Sequence, residues 1–108
     1  MSQHEFLFTY SVTPKEYTRE CQALTTEVKK RIADICLPNW TRIDQVETAY
    51  LGELVLTAES VHGKRKEAID IITSEIREIM SELGAYFEVY VDVALLVNRL
   101  GQCQQFIV

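Results

Sequence analysis

The sequence predicts a single α+β domain, a four-stranded antiparallel sheet with two helices packed on one of its faces. Three observations carry this reading. Two long stretches, from about Pro14 to Cys36 and from about Ser60 to Gly84, hold apolar residues at helical spacing. Shorter stretches rich in β-branched and aromatic residues precede, separate and follow them. At 108 residues, 47% of them hydrophobic, the chain can fill one core without a disulfide or metal staple.

The first element is a strand over His4–Val12, with Phe6, Phe8 and Tyr10 on the face expected to meet the core and Leu7, Thr9 and Ser11 on the other. Thr13 then reads as a helix N-cap with Pro14 at the first helical position. Helix one follows, its stripe formed by Tyr17, Cys21, Leu24, Val28, Ile32 and Ile35. Leu37-Pro38-Asn39 ends it.

From Trp40 onward the pattern favours two antiparallel strands, roughly 40–47 and 50–58, on β-forming residues and the run Leu54-Val55-Leu56-Thr57. Trp40, Ile43, Val46, Ala49 and Tyr50 also fit a short helix, and the sequence alone leaves 40–50 open between the two. Helix two carries Ile69, Ile72, Ile76, Ile79 and Leu83, with Gly84 suited to the position after its last turn. A strand over Tyr86–Val97 comes next. Its expected core face is Phe87, Val89, Val91 and Val93, and its outer face Tyr86, Glu88, Tyr90 and Asp92. The domain then spans 1–97, and the tail over 98–108 ends in Phe106-Ile107-Val108, which fits an extra edge strand or a dimer contact.

The resulting β-α-β-β-α-β order resembles the ferredoxin-like plait, with strand order 4-1-3-2. That plait hosts many unrelated activities, so the resemblance implies an architecture and no function.

Composition narrows the classes. Sixteen acidic against eleven basic residues give a net charge of −5, which disfavours sequence-independent binding to nucleic acid. No apolar run approaches the roughly 20 residues of a membrane span. Met1-Ser2-Gln3-His4-Glu5 lacks the pattern of a secretory signal, so the cytoplasm is the expected location. Cys21, Cys36 and Cys103 are odd in number and widely spaced, and Cys21 falls on a helix stripe as a small buried hydrophobe.

Each candidate site competes with a plainer reading. Only His4 and His62 could serve as histidine acid–base groups. With strands one and three taken as parallel, they fall at opposite ends of the domain, and no catalytic residue is assigned. No metal-ligand spacing is present, and Glu88 and Asp92 lie roughly 13 Å apart along one strand, too far to chelate together. No cofactor is implied. The run His62-Gly63-Lys64-Arg65-Lys66 sets cations at a helix N-terminus, where anions are normally favoured, and so hints at an anion site. Its plainer reading is a solvated loop balanced by Glu59 and Glu67. Lys29-Lys30-Arg31 lies on the order of 20–25 Å away along the helix layer and does not join it.

The outer sheet face lacks the aromatic and basic residues of an RNA platform on its central strands. It suits a protein contact better, through Leu7, Val55, Tyr86, Tyr90, Ala94 and Leu96, joined by Phe106 and Ile107 of the tail. The leading expectation is therefore a small non-enzymatic binding or regulatory protein that associates with protein, as a homodimer. A nucleic-acid-binding or RNA-cleaving protein of the bacterial defence or toxin–antitoxin type is the less favoured reading. A small-molecule sensor ranks last, because the loop Ser11-Val12-Thr13-Pro14 has no glycine.

Overall fold

The computed structural model describes residues 2–43 and 48–108. The elements in chain order are β1 (Ser2–Pro14), α1 (Arg19–Ala33), β2 (Trp40–Arg42), β3 (Ala49–Leu56), α2 (Val61–Glu82), β4 (Val89–Val97) and β5 (Gln104–Ile107). They form one α+β unit around a five-stranded antiparallel sheet of order β2-β3-β1-β4-β5. The expected four-stranded ferredoxin-like plait is corrected by the fifth strand. Tail residues Phe106 and Val108 pack against the core rather than standing in water. A tight reversal after β4, with Arg99 at φ 71° and Gly101 at φ 92°, turns the chain back to pair with that strand.

β1 is the central strand, flanked by β3 and β4, and its side chains alternate between two environments. His4, Phe6, Phe8, Tyr10 and Val12 are buried beneath the helices, while Glu5, Thr9 and Ser11 are exposed. In β4 the residues Val89, Val91, Val93, Leu95 and Val97 face the same core. The helices meet them with Cys21, Val28 and Ile32 from α1 and Ala68, Ile72, Ile76, Ile79 and Met80 from α2. The i, i+4 spacing in each helix is what brings these side chains onto one stripe.

Aromatic packing joins β1, β2 and β3. Phe8 stacks on Tyr50 at 5.3 Å between centroids, and Trp40 meets Phe6 and Phe8 edge-on at 5.3 and 5.5 Å. Gly52 sits where a side chain could not: a Cβ there would lie 2.1 Å from the Asn39 carbonyl oxygen and 2.7 Å from the Phe6 ring. Trp40–Arg42 and Ala49–Leu56 are strands, which answers the helix-or-strand question for those residues; Asp44 to Glu47, including Val46, lie outside the described residues.

Several boundaries differ from expectation. β1 continues through Thr13 to Pro14, which sits opposite Val89 at the strand's end, a place where a missing N–H is tolerated. The helix N-cap is therefore Thr18, whose hydroxyl accepts from the Cys21 N–H at 3.1 Å. Tyr17 precedes that cap and is 88% exposed instead of lying on the helix stripe. β4 begins at Val89, so Tyr86 and Phe87 belong to the turn before it; Phe87, expected in the core, is 78% exposed.

Strand direction also differs. β1 and β3 run antiparallel, with His4 opposite Leu54. His4 and the start of α2, where His62 lies, are thus at the same end of the sheet rather than at opposite ends. No helix among the described residues is long and apolar enough to cross a membrane.

The buried hydroxyl of Tyr50 donates to the Ile32 carbonyl oxygen at 2.5 Å, tying β3 to the last turn of α1. Burial, with Tyr10 adding, pushes its pKa from 10.0 up to about 12. The neutral form is thus favoured in the folded state. This contribution is fully present below pH 10 and is lost as pH rises from 10 to 12, amounting to about 2–3 kcal/mol. In urea unfolding, the stability advantage of the native chain over Tyr50→Phe is expected to shrink across that window. An advantage that stays constant from pH 9 to 12 would contradict the assignment.

Candidate functional site

Among the described residues the helices cover one side of the sheet and leave most of its other side open; Ala49, which shares that side with Leu51 and Glu53, is buried. The strand register fixes what lies there. Leu51, Leu7 and Leu96 sit side by side across β3, β1 and β4, with Thr41 of β2 next in the row. With strands about 4.8 Å apart, the three leucines make an apolar band roughly 10 Å wide. Leu51 is 47% exposed and Leu96 45%, whereas Leu54, Leu56 and Leu95 on the helix side are buried.

The neighbouring rows differ in chemistry. On one side Glu5 stands directly opposite Glu53, and Gln3 opposite Val55. On the other, Thr9, Ala94 and Gln105 form one row, and Ser11, Asp92 and Ile107 the next. The small side chains of Thr9, Ser11 and Ala94 leave a shallow hollow of about 480 Å³, closed on one flank by Gln105 and Ile107. A second hollow of about 340 Å³ lies over Leu7, Leu51 and Leu96, with Glu5 and Arg99 at its rim. The charged strand residues on this face are Glu5, Glu53 and Asp92, all acidic.

The residues expected to form an interface divide. Leu7, Val55, Tyr90, Ala94, Leu96 and Ile107 belong to the open face. Phe106 alternates to the helix side and packs against the core. Tyr86 leaves the face altogether, since its ring lies beside the Arg77 guanidinium of α2 at 5.9 Å. Phe87 takes its place near Tyr90: the Lys15 ammonium lies 5.8 Å from the Phe87 centroid and 5.0 Å from that of Tyr90, and donates to the Tyr86 carbonyl oxygen. Leu51 joins the residues of the open face, where the two-residue period from Glu53 and Val55 places it.

In the basic run at the start of α2, Arg65 is the cation engaged within the fold. Arg65 donates through Nη1 to the carbonyl oxygens of Leu100 and Gln102, clipping the β4–β5 turn to the helix. The Ser60 hydroxyl caps the Gly63 N–H at 2.9 Å, and the Ser60 carbonyl oxygen accepts from the Lys64 N–H. Glu67 accepts from the N–H groups of Thr57 and Ala58 and from the Thr57 hydroxyl, and these bonds, that from Ala58 foremost, hold its carboxyl below the usual range. His62 and Lys66 stay exposed and Lys64 half-buried. Arg65 thus serves as a clip, and His62, Arg65 and Lys66 together line a shallow hollow of about 380 Å³ beside Gln104. Arg31, in the other basic run, pairs with Glu82 at the far end of α2.

His4 is buried, and its Nδ1 lies 2.9 Å from the Asn98 carbonyl oxygen. A carbonyl only accepts, so Nδ1 carries a proton, while Nε2 lies 2.9 Å from the Ser2 hydroxyl oxygen. His4 thus locks the end of β4 to β1, and His62 is not bonded to it. The Cys21 thiol, also buried, donates to Glu88 Oε2 at 3.1 Å, while Cys36 and Cys103 are exposed and all three are free. Among the described residues no three His, Cys, Asp or Glu side chains converge to hold a metal ion.

No protein-family model, curated protein or solved structure matches the chain.

Like charges directly opposite on a sheet are destabilising. Glu53→Lys is therefore expected to raise unfolding stability by a few tenths to about 1 kcal/mol, by pairing with Glu5. Thermal or urea unfolding at low salt checks this. A neutral or lower value at low salt would mean that Glu5 already has a cationic partner.

Proposed function

We propose that the chain is a small non-enzymatic association module of the cytoplasm, which takes a protein partner on the open face of its sheet and works as a homodimer. The observation that carries the reading is the band Leu51–Leu7–Leu96 on the uncovered side of the sheet. Isolated exposed leucines are ordinary, but two exposed leucines flanking the half-buried Leu7 form a contiguous apolar patch of the kind that marks a contact site. Ile107 and Tyr90 lie on the same face but are separated from the band by the row of Thr9, Ala94 and Gln105. Three unpaired cysteines, two of them exposed, support a reducing compartment.

The flanking acids describe the partner. Glu5 and Glu53 border the band on one side, with Arg99 at the same rim, and Asp92 lies beyond it on the other, so acids outnumber the cation. An apolar segment carrying lysine or arginine beside its anchors complements that arrangement, and an acidic one is repelled.

Native-cell pull-downs with the wild-type chain and with Leu7→Glu plus Leu96→Glu test this reading, with circular dichroism to confirm that the variant is folded. The wild type is expected to retain a protein that the double variant loses, and added salt is expected to weaken the retention. Identical sets of retained proteins would contradict the open face as the binding surface.

A further inference from the structure

The free edge of β5 is a second surface, defined by backbone direction instead of side-chain chemistry. The Val108 N–H donates to the Val91 carbonyl oxygen at 2.9 Å, in step with the pairing of Ile107 with Asp92. In an antiparallel ladder, alternate residues direct both backbone groups to the same neighbour. Phe106 and Gln104 therefore point their N–H and C=O toward β4. Gln105 and Ile107 point theirs outward, away from the sheet.

Edge strands are commonly guarded by being very short, as the four-residue β5 is, or by lysine, proline or a bulge. Beyond its shortness, the segment Gln104-Gln105-Phe106-Ile107 has none of these, and its pairing with β4 is regular throughout. It is also held in place in advance. Arg65 clips the preceding turn through Leu100 and Gln102, and Phe106 packs on the core. Pairing at this edge orders little that is not already ordered, which favours association.

From these features we infer that two copies of the chain join edge to edge through β5, in antiparallel register about Phe106. The inference rests on the self-association part of the reading above and names its contact. In this register Gln105 faces the partner's Ile107 and Ile107 faces the partner's Gln105, giving four N–H···O=C bonds. Phe106 meets the partner's Phe106 at a non-hydrogen-bonded position, with Cα atoms about 4.5 Å apart and both side chains on the helix side. The two-fold axis stands perpendicular to the sheet. The product is a ten-stranded sheet with both leucine bands on one continuous open surface, each free to take a partner. The contact is short, below the size of a standard stable interface, so the dimer is weak and forms as concentration rises.

Sedimentation equilibrium on the wild type, Ile107→Pro, Gln105→Lys and Leu7→Glu tests the inference. Proline at 107 removes an outward N–H and no bond to β4, so the fold is kept; Gln105→Lys guards the edge without altering the backbone. The wild-type mass is expected to rise from 12.4 kDa toward twice that value with concentration. Both edge variants are expected to raise the dimer Kd at least about tenfold, roughly 1.4 kcal/mol, and Leu7→Glu to leave it unchanged. A wild-type chain that stays monomeric at several hundred micromolar overturns both this inference and the homodimer. Edge variants that dimerise like the wild type overturn the β5 contact alone, and loss of dimer in Leu7→Glu instead moves it to the open face.

Discussion

The fold depends on one constraint: side chains of the central strand must alternate between two unlike environments. Strand β1 is paired with β3 over Ser2–Thr9 and with β4 over Phe6–Pro14, so it cannot slip by one residue without moving Phe6, Phe8, Tyr10 and Val12 into water. Phe8, fully buried, stacks on Tyr50, and the Tyr50 hydroxyl reaches the Ile32 carbonyl oxygen in α1. Register, core and helix placement are thus coupled through one aromatic contact. The same alternation fixes Glu5, Leu7, Thr9 and Ser11 on the opposite side, where no helix covers them. The open surface follows from how the core is built.

That surface is chemically uneven, and the unevenness is informative. A sheet side meant only for solvent would gain from polar residues at 7, 51 and 96, and from opposite charges at 5 and 53. The chain has leucines in the first three positions and two facing glutamates in the others. Both choices cost stability in an isolated domain and are the kind of local conflict found at functional surfaces. The basic run of α2 is the reverse case. Its cations look misplaced beside a helix dipole, yet Arg65 has a structural task in holding the β4–β5 turn.

Much of the core was legible in the sequence because local spacing determines it. Val28 and Ile32, then Ile72, Ile76 and Met80, lie four residues apart along their helices, and Phe6, Phe8 and Tyr10 lie two apart along an extended chain. Features set by long-range pairing were not legible. Thr13-Pro14 carries a good helix-start signal, but pairing of Pro14 with Val89 keeps it in the sheet. The parity that put Phe87 inside and Tyr86 outside applies only within a strand, and the Glu88 N–H to Ala85 carbonyl bond shows that this segment is a turn. The fifth strand needed Arg99 and Gly101 in left-handed conformations and a clip from Arg65, 35 residues away from Leu100. Of the candidate site, Leu7, Val55, Tyr90, Ala94 and Leu96 could be read from alternation, and Leu51 could have been.

The central claim is that one side of the sheet is sealed by helices and the other meets solvent. Methyl NMR of the dilute protein with a soluble gadolinium chelate measures this directly. The methyl signals of Leu7, Leu51 and Leu96 are expected to broaden strongly, while those of Leu54, Leu56 and Leu95 stay sharp. Equal protection of the two sets would mean that the second side is covered as well, and the account would fail.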